Sequence, residues 1–440
     1  MSVDKFVVEG GARLRGEVRC STAKNSVLPI LAATLLTDEP CRILGVPRLS
    51  DVEMMRRLLA VLGVPSDLGD DGVLVTRPTG DGPIEAPWDL VRKMRASISV
   101  LGPLLGKRRR ARVSFPGGCV FGHRPIDLHL KGLRGIGAEI EVKGGFVEAR
   151  AAALPGGEVF LGGPFGSSVG ATQNVLMAAV LAEGTTIIEN AACEPEVVDL
   201  GRFLRSMGAE IGGIGSPRIV VRGVGRLYGA EHRPISDRIE AGTFLAAAVL
   251  TDGEVTITNC RPGDLRAAVD KAREMGAEVR RVADDALFVR RDRPVAPADL
   301  DTHVFPGFPT DLQAQFMVLQ CLAHGVSVTT EKIYPDRFMH ISELARLGAH
   351  VRKEGPSAIV SGVDRLSGAP VMASDLRASA ALVLAGLVAE GETQVHRVYH
   401  IDRGYERIEE RLGGLGARIA RVADDDEAAI EAQSASTRAA

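Results

Sequence analysis

Residues 171–209 read ATQNVLMAAVLAEGTTIIENAACEPEVVDLGRFLRSMGA. The opening segment, 171–182, is apolar on nearly every side, which predicts a buried helix. It stops at Gly184, and Thr-Thr-Ile-Ile follows as a β-branched strand. A second segment, 197–207, carries a polar face and should lie outside the first. It ends at Met207-Gly208-Ala209, with glycine where a helix C-cap needs a left-handed residue.

Working outward, the same unit recurs along the chain. Caps of apolar-Gly-small type stand at Leu62-Gly63-Val64, Ile136-Gly137-Ala138, Met207-Gly208-Ala209, Met275-Gly276-Ala277, Leu347-Gly348-Ala349 and Leu415-Gly416-Ala417. Their glycines are 74, 71, 68, 72 and 68 residues apart. Alanine-rich apolar helices are expected ahead of them at 25–36, 96–105, 171–182, 242–250, 314–323 and 378–389. The unit is buried helix, strand, outer helix, strands. A solenoid also repeats, but its units typically run ~20–50 residues. Six units exceed what one core holds, so two groups of three are the natural division.

The expected fold class is therefore α/β, with buried helices surrounded by sheets in two domains of three repeats. That is inside-out relative to a common α/β barrel. The first domain is expected over 22–232. The second combines 1–21 with 233–423, because the strands at 5–9 and 15–19 lack a preceding helix of their own. The acidic, then Ala/Ser-rich stretch 424–440 reads as a disordered tail.

Composition excludes several function classes. The 440 residues are 45% hydrophobic and 25% charged, and the net charge is −3. That gives no basic field for nucleic acid. No apolar run approaches the ~18 residues of a membrane span. Six scattered cysteines without a CxxC pair argue against zinc and against a disulfide scaffold. The N-terminus lacks a signal-peptide core, and a cytoplasmic home is expected. The run Lys107-Arg-Arg-Arg110 reads as a solvated turn.

Polar residues gather where the buried helices begin: Lys24-Asn25, Arg95, Ser168-Val169-Gly170, Asp237-Arg238, Asp311 and Asp375 with Arg377. Helix N-termini offer free N–H groups and favour anions. Taken singly, Asp237, Asp311 and Asp375 read more readily as N-caps; their recurrence at one phase of the repeat is what points to a site. A loop, Pro116-Gly-Gly-Cys-Val-Phe-Gly-His-Arg-Pro-Ile-Asp-Leu-His129, adds a thiol and a guanidinium. Its glycines and prolines exclude a regular helix or central strand.

At these residues the chain resembles the UDP-N-acetylglucosamine 1-carboxyvinyltransferases, within the enolpyruvyl transferase family. Landmarks run from Ala23-Lys-Asn25 through Pro116-Gly-Gly-Cys119 and Phe308-Pro-Thr-Asp-Leu-Gln-Ala-Gln-Phe316 to Tyr399-His-Ile-Asp-Arg-Gly-Tyr405. The resemblance implies two inside-out domains. It also implies transfer of an enolpyruvyl group from phosphoenolpyruvate to the 3′-hydroxyl of UDP-N-acetylglucosamine, the first committed step of peptidoglycan synthesis. No cofactor, metal, nucleic-acid or membrane partner is implied. By resemblance, Lys24, Arg124 and Arg403 hold phosphoenolpyruvate, with Asn25 beside them. Arg95, the stretch Arg124, Pro125, Ile126, Asp127 and Leu128, then Ser168, Val169, Gly170, Asp311 and Ile333 contact the sugar nucleotide. Asp375 and Arg377 belong to the same binding set. Cys119 looks like the general acid, open to alkylation by the epoxide fosfomycin, and Asp311 like the base. Thr22, Cys193 and Phe165-Gly166-Ser167 depart from the family's usual glycine, arginine and lysine.

Overall fold

The computed structural model describes residues 4–115 and 126–424. The unit read at 171–209 folds as expected. Val169–Ala179 is the buried helix, Thr185–Glu189 the strand and Pro195–Ser206 the outer helix. Arg218–Arg222 returns antiparallel to that strand and Glu210–Gly212 pairs beyond it. Gly157–Phe160 closes the other edge in parallel.

Among the described residues this order, one parallel edge followed by two antiparallel pairings, occurs in six four-stranded sheets. In the sheet of the last repeat the antiparallel place beside Glu392–His396 is taken by Asp4–Glu9, with Phe6 opposite Val395. Arg418–Ala423 pairs on the far side of Asp4–Glu9. Arg15–Arg19 likewise supplies the parallel edge to Glu254–Thr258. Asp4–Glu9 and Arg15–Arg19 are thus held in sheets built largely from the C-terminal half of the chain.

The inner helices are Lys24–Ala33, Leu101–Arg108, Val169–Ala179, Arg238–Leu250, Gln313–Cys321 and Leu376–Val388. The second starts later than expected, because Arg95–Val100 forms a 3-10 turn ahead of it. They are buried on all sides; every residue from Leu376 to Leu387 is covered. Each buried leucine there contributes roughly 1.5–3 kcal/mol by leaving water. Small residues let the helices approach. A Cβ on Gly102 would sit 2.2 Å from the Asn174 carbonyl oxygen.

The six outer helices end as their glycines dictate. Gly63, Gly137, Gly208, Gly276, Gly348 and Gly416 all take φ between +87° and +109°. That is the left-handed region where only glycine sits without strain. One outer helix corrects the sequence reading: Asp127, expected on a loop, opens the helix Asp127–Gly135. The basic run is also not simply solvated. Lys107 pairs with Asp38, and the Arg108 and Arg109 guanidinium groups donate to backbone carbonyls, including those of Leu62 and Leu181.

The apolar residues bury into two cores. One spans Val27 to Leu227, the other joins Phe6–Cys20 to Ile239–Leu415. The chain passes between them twice, and the two crossings lie side by side. Ala23 donates to Ile235 and Asp237 to Ser21, each at 2.8 Å. Asp424, expected to begin the tail, is buried and pairs with His396. The rest of that stretch, 425–440, lies outside the described residues. No described helix is long and apolar enough to cross a membrane.

Candidate active site

Where the two cores meet, a cleft of about 780 Å³ opens, lined from both halves. That is the size of a small-molecule site. From the first half come Lys24, Asn25, Arg95, Asp127, Leu128 and the N-terminal residues Ser168, Val169 and Gly170 of an inner helix. From the second come Asp311, Ile333, Asp375, Arg377 and Arg403. These residues, drawn from across the sequence, converge in one place. Ile126 does not line it; that side chain is buried in the core beneath the outer helix. Cys119, Arg124 and Pro125 lie outside the described residues.

Two of the acidic helix starts are caps. Asp375 accepts from the amides of Arg377 and Ala378 at 2.9 and 3.2 Å, and Asp237 from those of Ile239 and Glu240. Ser168 caps its helix through the Ala171 amide at 3.3 Å. Asp311 is different. It makes no cap, and its carboxylate is gripped by Arg337 at 2.7 Å and Arg377 at 3.4 Å. Burial works to raise its pKa, but Arg337 and Arg377 outweigh burial and hold it far below the carboxylate range. Asn25 reaches it from the other half at 3.5 Å.

Arg377 is nearly inaccessible; its Nε and Nη1 meet no acceptor at full hydrogen-bonding geometry, with the Tyr405 hydroxyl as their nearby polar neighbour. Two unmet donors on a buried guanidinium in a cleft are an unfilled demand for an anion. Its ring neighbour Tyr405, 5.3 Å from centroid to guanidinium, is held by Thr243 at 2.8 Å. Gln315 bridges that hydroxyl pair to the Asp311 carbonyl. So Thr243, Gln315 and Arg377, one from each inner helix of this half, meet in a buried polar knot behind Asp311.

The corresponding centre of the first half is neutral. Asn174 donates to the Ile98 carbonyl and to His129 Nδ1, and accepts from Gly102. His129 must therefore carry its proton on Nε2. Burial, with Arg95 adding to it, pushes its pKa down to about 3. A Cβ on Gly170 would lie 2.9 Å from this ring, which explains a glycine in that helix turn.

Some residues lining the cleft carried no signal in the sequence, Asp51, Glu194 and Glu196 among them. Asp51, in the first turn of the outer helix Ser50–Val61, bridges Lys24 at 3.1 Å and Arg403 at 2.9 Å. Arg238 forms a two-pronged pair with Glu196 across the halves at 2.9 and 3.3 Å. Glu194 accepts from the Phe305 amide of the opposite half. An acid in the first turn of a helix reads as a partner of the helix dipole, so nothing marked Asp51. None of the described cysteines lines the cleft, the half-buried Cys193 included. Cys20, Cys41, Cys260 and Cys321 are buried, and burial drives Cys321 up to about 12.

A family model described as EPSP synthase (3-phosphoshikimate 1-carboxyvinyltransferase) matches residues 8–412. A UDP-N-acetylglucosamine 1-carboxyvinyltransferase of Nitratidesulfovibrio vulgaris is 52% identical over 422 residues, covering 96% of this chain and 100% of the relative. UDP-N-acetylglucosamine 1-carboxyvinyltransferase 2 of Carboxydothermus hydrogenoformans is 53% identical, with the same coverage. Among solved structures, the enolpyruvyl transferase NikO of Streptomyces tendae superposes with a TM-score of 0.86 at 26% identity, over 96% of this chain and 100% of its own. EPSP synthase of Acinetobacter baumannii shares the fold, with a TM-score of 0.69 at 18% identity over 95% of this chain and 100% of its own.

Proposed function

The chain belongs to the EPSP synthase family of carboxyvinyltransferases, and from that premise we propose how it works. It moves the enolpyruvyl group of phosphoenolpyruvate onto the 3′-hydroxyl of UDP-N-acetylglucosamine and releases phosphate, in the service of peptidoglycan synthesis. The observation that carries this reading is the meeting of Lys24 and Arg403, from opposite halves, in one cleft with Asp311.

Lys24 and Arg403, with Arg124, hold the carboxylate and phosphate of phosphoenolpyruvate, and Asn25 stands beside them. The sugar nucleotide lies along Arg95, Arg124, Pro125, Asp127, Leu128 and Ser168–Gly170, with its hydroxyl near Asp311 and Ile333. In the addition step the 3′-oxygen bonds to C2 of the enol and its proton passes to Asp311. The Cys119 thiol gives a proton to C3. The resulting tetrahedral carbon bears both carboxylate and phosphate, and fixed cations in a covered site stabilise that charge. The C2–O bond to phosphate then breaks, C3 returns a proton to the Cys119 thiolate to restore the double bond, and the proton held by Asp311 leaves with the phosphate.

Asp311 in the ligand-free cleft is a weak base, because two guanidinium groups neutralise it. A phosphate drawn to the unmet Nε and Nη1 donors of Arg377 competes for that guanidinium and returns basicity to Asp311. Substrate binding and base activation are thereby one event. Asp375 serves the site by capping the helix that presents Arg377.

Phosphate release measured with each acceptor tests the reading. Wild type should release phosphate only with phosphoenolpyruvate and UDP-N-acetylglucosamine together, and Cys119→Ala should lose that release. Turnover with shikimate 3-phosphate instead, or an undiminished Cys119→Ala rate, would overturn it.

A further inference from the structure

Asp51 has an unusual place. It sits in the first turn of an outer helix, where a carboxylate ordinarily faces the free amides, yet that helix has no side-chain cap. Its recorded bonds go instead into the cleft, Oδ2 to Lys24 Nζ at 3.1 Å and Oδ1 to Arg403 Nε at 2.9 Å. Its side chain is 6% exposed and that of Lys24 11%. The pair is desolvated, and a desolvated ammonium needs a counter-ion to stay charged.

The surroundings of Lys24 make that need acute. Arg377 approaches from an inner helix of the second half and Arg403 from the turn Val398–Arg403, and both disfavour its charge. Asp311 lies further round the same cluster, but its oxygens are taken by Arg337 and Arg377. Asp51 is the one carboxylate recorded in contact with Lys24 among the described residues.

Resting on the reading above, we propose that Asp51 is a positioning residue for the phosphoenolpyruvate end of the site. Its two oxygens tie Lys24 to Arg403 across the cleft and keep the Lys24 ammonium charged until the substrate anion takes their place. The geometry supports the handover, since one carboxylate spans both cations as a substrate carboxylate or phosphate would. Burial is the main influence lowering the Lys24 pKa, and Asp51 is the main one opposing it.

The test reads Lys24 directly and needs no turnover. Reductive methylation of the ligand-free, full-length protein is followed by mass spectrometry across pH, scoring Lys24 alone. Asp51→Asn keeps the shape and removes the charge. Its Lys24 labelling midpoint should fall by about one to two pH units, and the basic limb of kcat/KM for phosphoenolpyruvate should move down with it. Asp51→Glu should restore both. Arg403→Gln should move the labelling midpoint the other way, because Lys24 loses a repelling cation and keeps Asp51 to itself. A strut with no electrostatic role would change thermal stability and leave both midpoints in place. Unmoved midpoints in Asp51→Asn, or an unmoved midpoint in Arg403→Gln should Asp51→Asn not fold, would overturn the proposal. A failed acceptor assay with wild type would instead strike the substrate reading and leave the labelling result standing.

Discussion

Asp51 and Asp311 are two carboxylates in one cleft, each held by two cations, and they are built differently. Both cations on Asp311, Arg337 and Arg377, come from its own half of the chain. Those on Asp51 come one from each half. Asp311 remains 27% exposed at its side chain, against 6% for Asp51. The Asp311 cluster thus forms whenever the second half folds and stays open to an acceptor hydroxyl. The Asp51 cluster exists only when the halves meet, and its own cations cover it. One cluster is complete within a single half, the other needs both halves.

Replacement of each carboxylate should separate them most sharply. Asp311→Asn should cost about 10²–10⁴-fold in kcat, the usual worth of a general base. The KM for phosphoenolpyruvate should change far less than kcat, and the Lys24 labelling midpoint should move less than in Asp51→Asn, because Asp311 acts on Lys24 without touching it. Steady-state phosphate release checks this; a KM effect larger than the kcat effect would assign Asp311 to binding instead.

A smaller effect tests what holds Asp311 ionised. Its pKa is depressed, so it stays charged until strongly acid pH. Arg337→Gln removes the strongest of the charges restraining it, ahead of Arg377 and Lys24, and the pKa should rise toward the ordinary carboxylate range. The acid limb of kcat should therefore move to higher pH, with activity lost earlier as pH falls. A pH–rate profile that keeps its acid limb would show Arg377 and Lys24 to be sufficient.

The smallest effect concerns scaffolding that the halves share. Gly208 and Gly416 cap equivalent outer helices at φ +103° and +99°. Alanine at either should cost roughly 1–2 kcal/mol of stability, with Gly208→Ala the costlier. There a Cβ would meet the Tyr228 ring at 3.2 Å, whereas at Gly416 its nearest neighbour is 3.7 Å away. Equilibrium unfolding in denaturant measures both; kcat should be unaffected.

The repeat was legible because its signals are local. Apolar spacing marked the inner helices to within a few residues, and six glycines marked where outer helices stop. Lys24, Arg95, Arg377 and Arg403 could be named because they recur at one phase of the repeat or lie in quotable motifs. Asp127 was read as loop, since the Gly/Pro pattern upstream concealed the helix that begins there. Asp51 and Glu196 gave no such signal, because each looks like an ordinary charge on a helix until its partner from the other half arrives.

The amino-acid order by itself determined the units: which segments coil, which extend and where each must turn. These choices depend on φ, ψ and burial within a few neighbouring residues. Only the tertiary structure decided which charge meets which. Asp51 and Arg403 are separated by 352 positions, and their attraction follows distance and loss of water, neither of which is written along the chain.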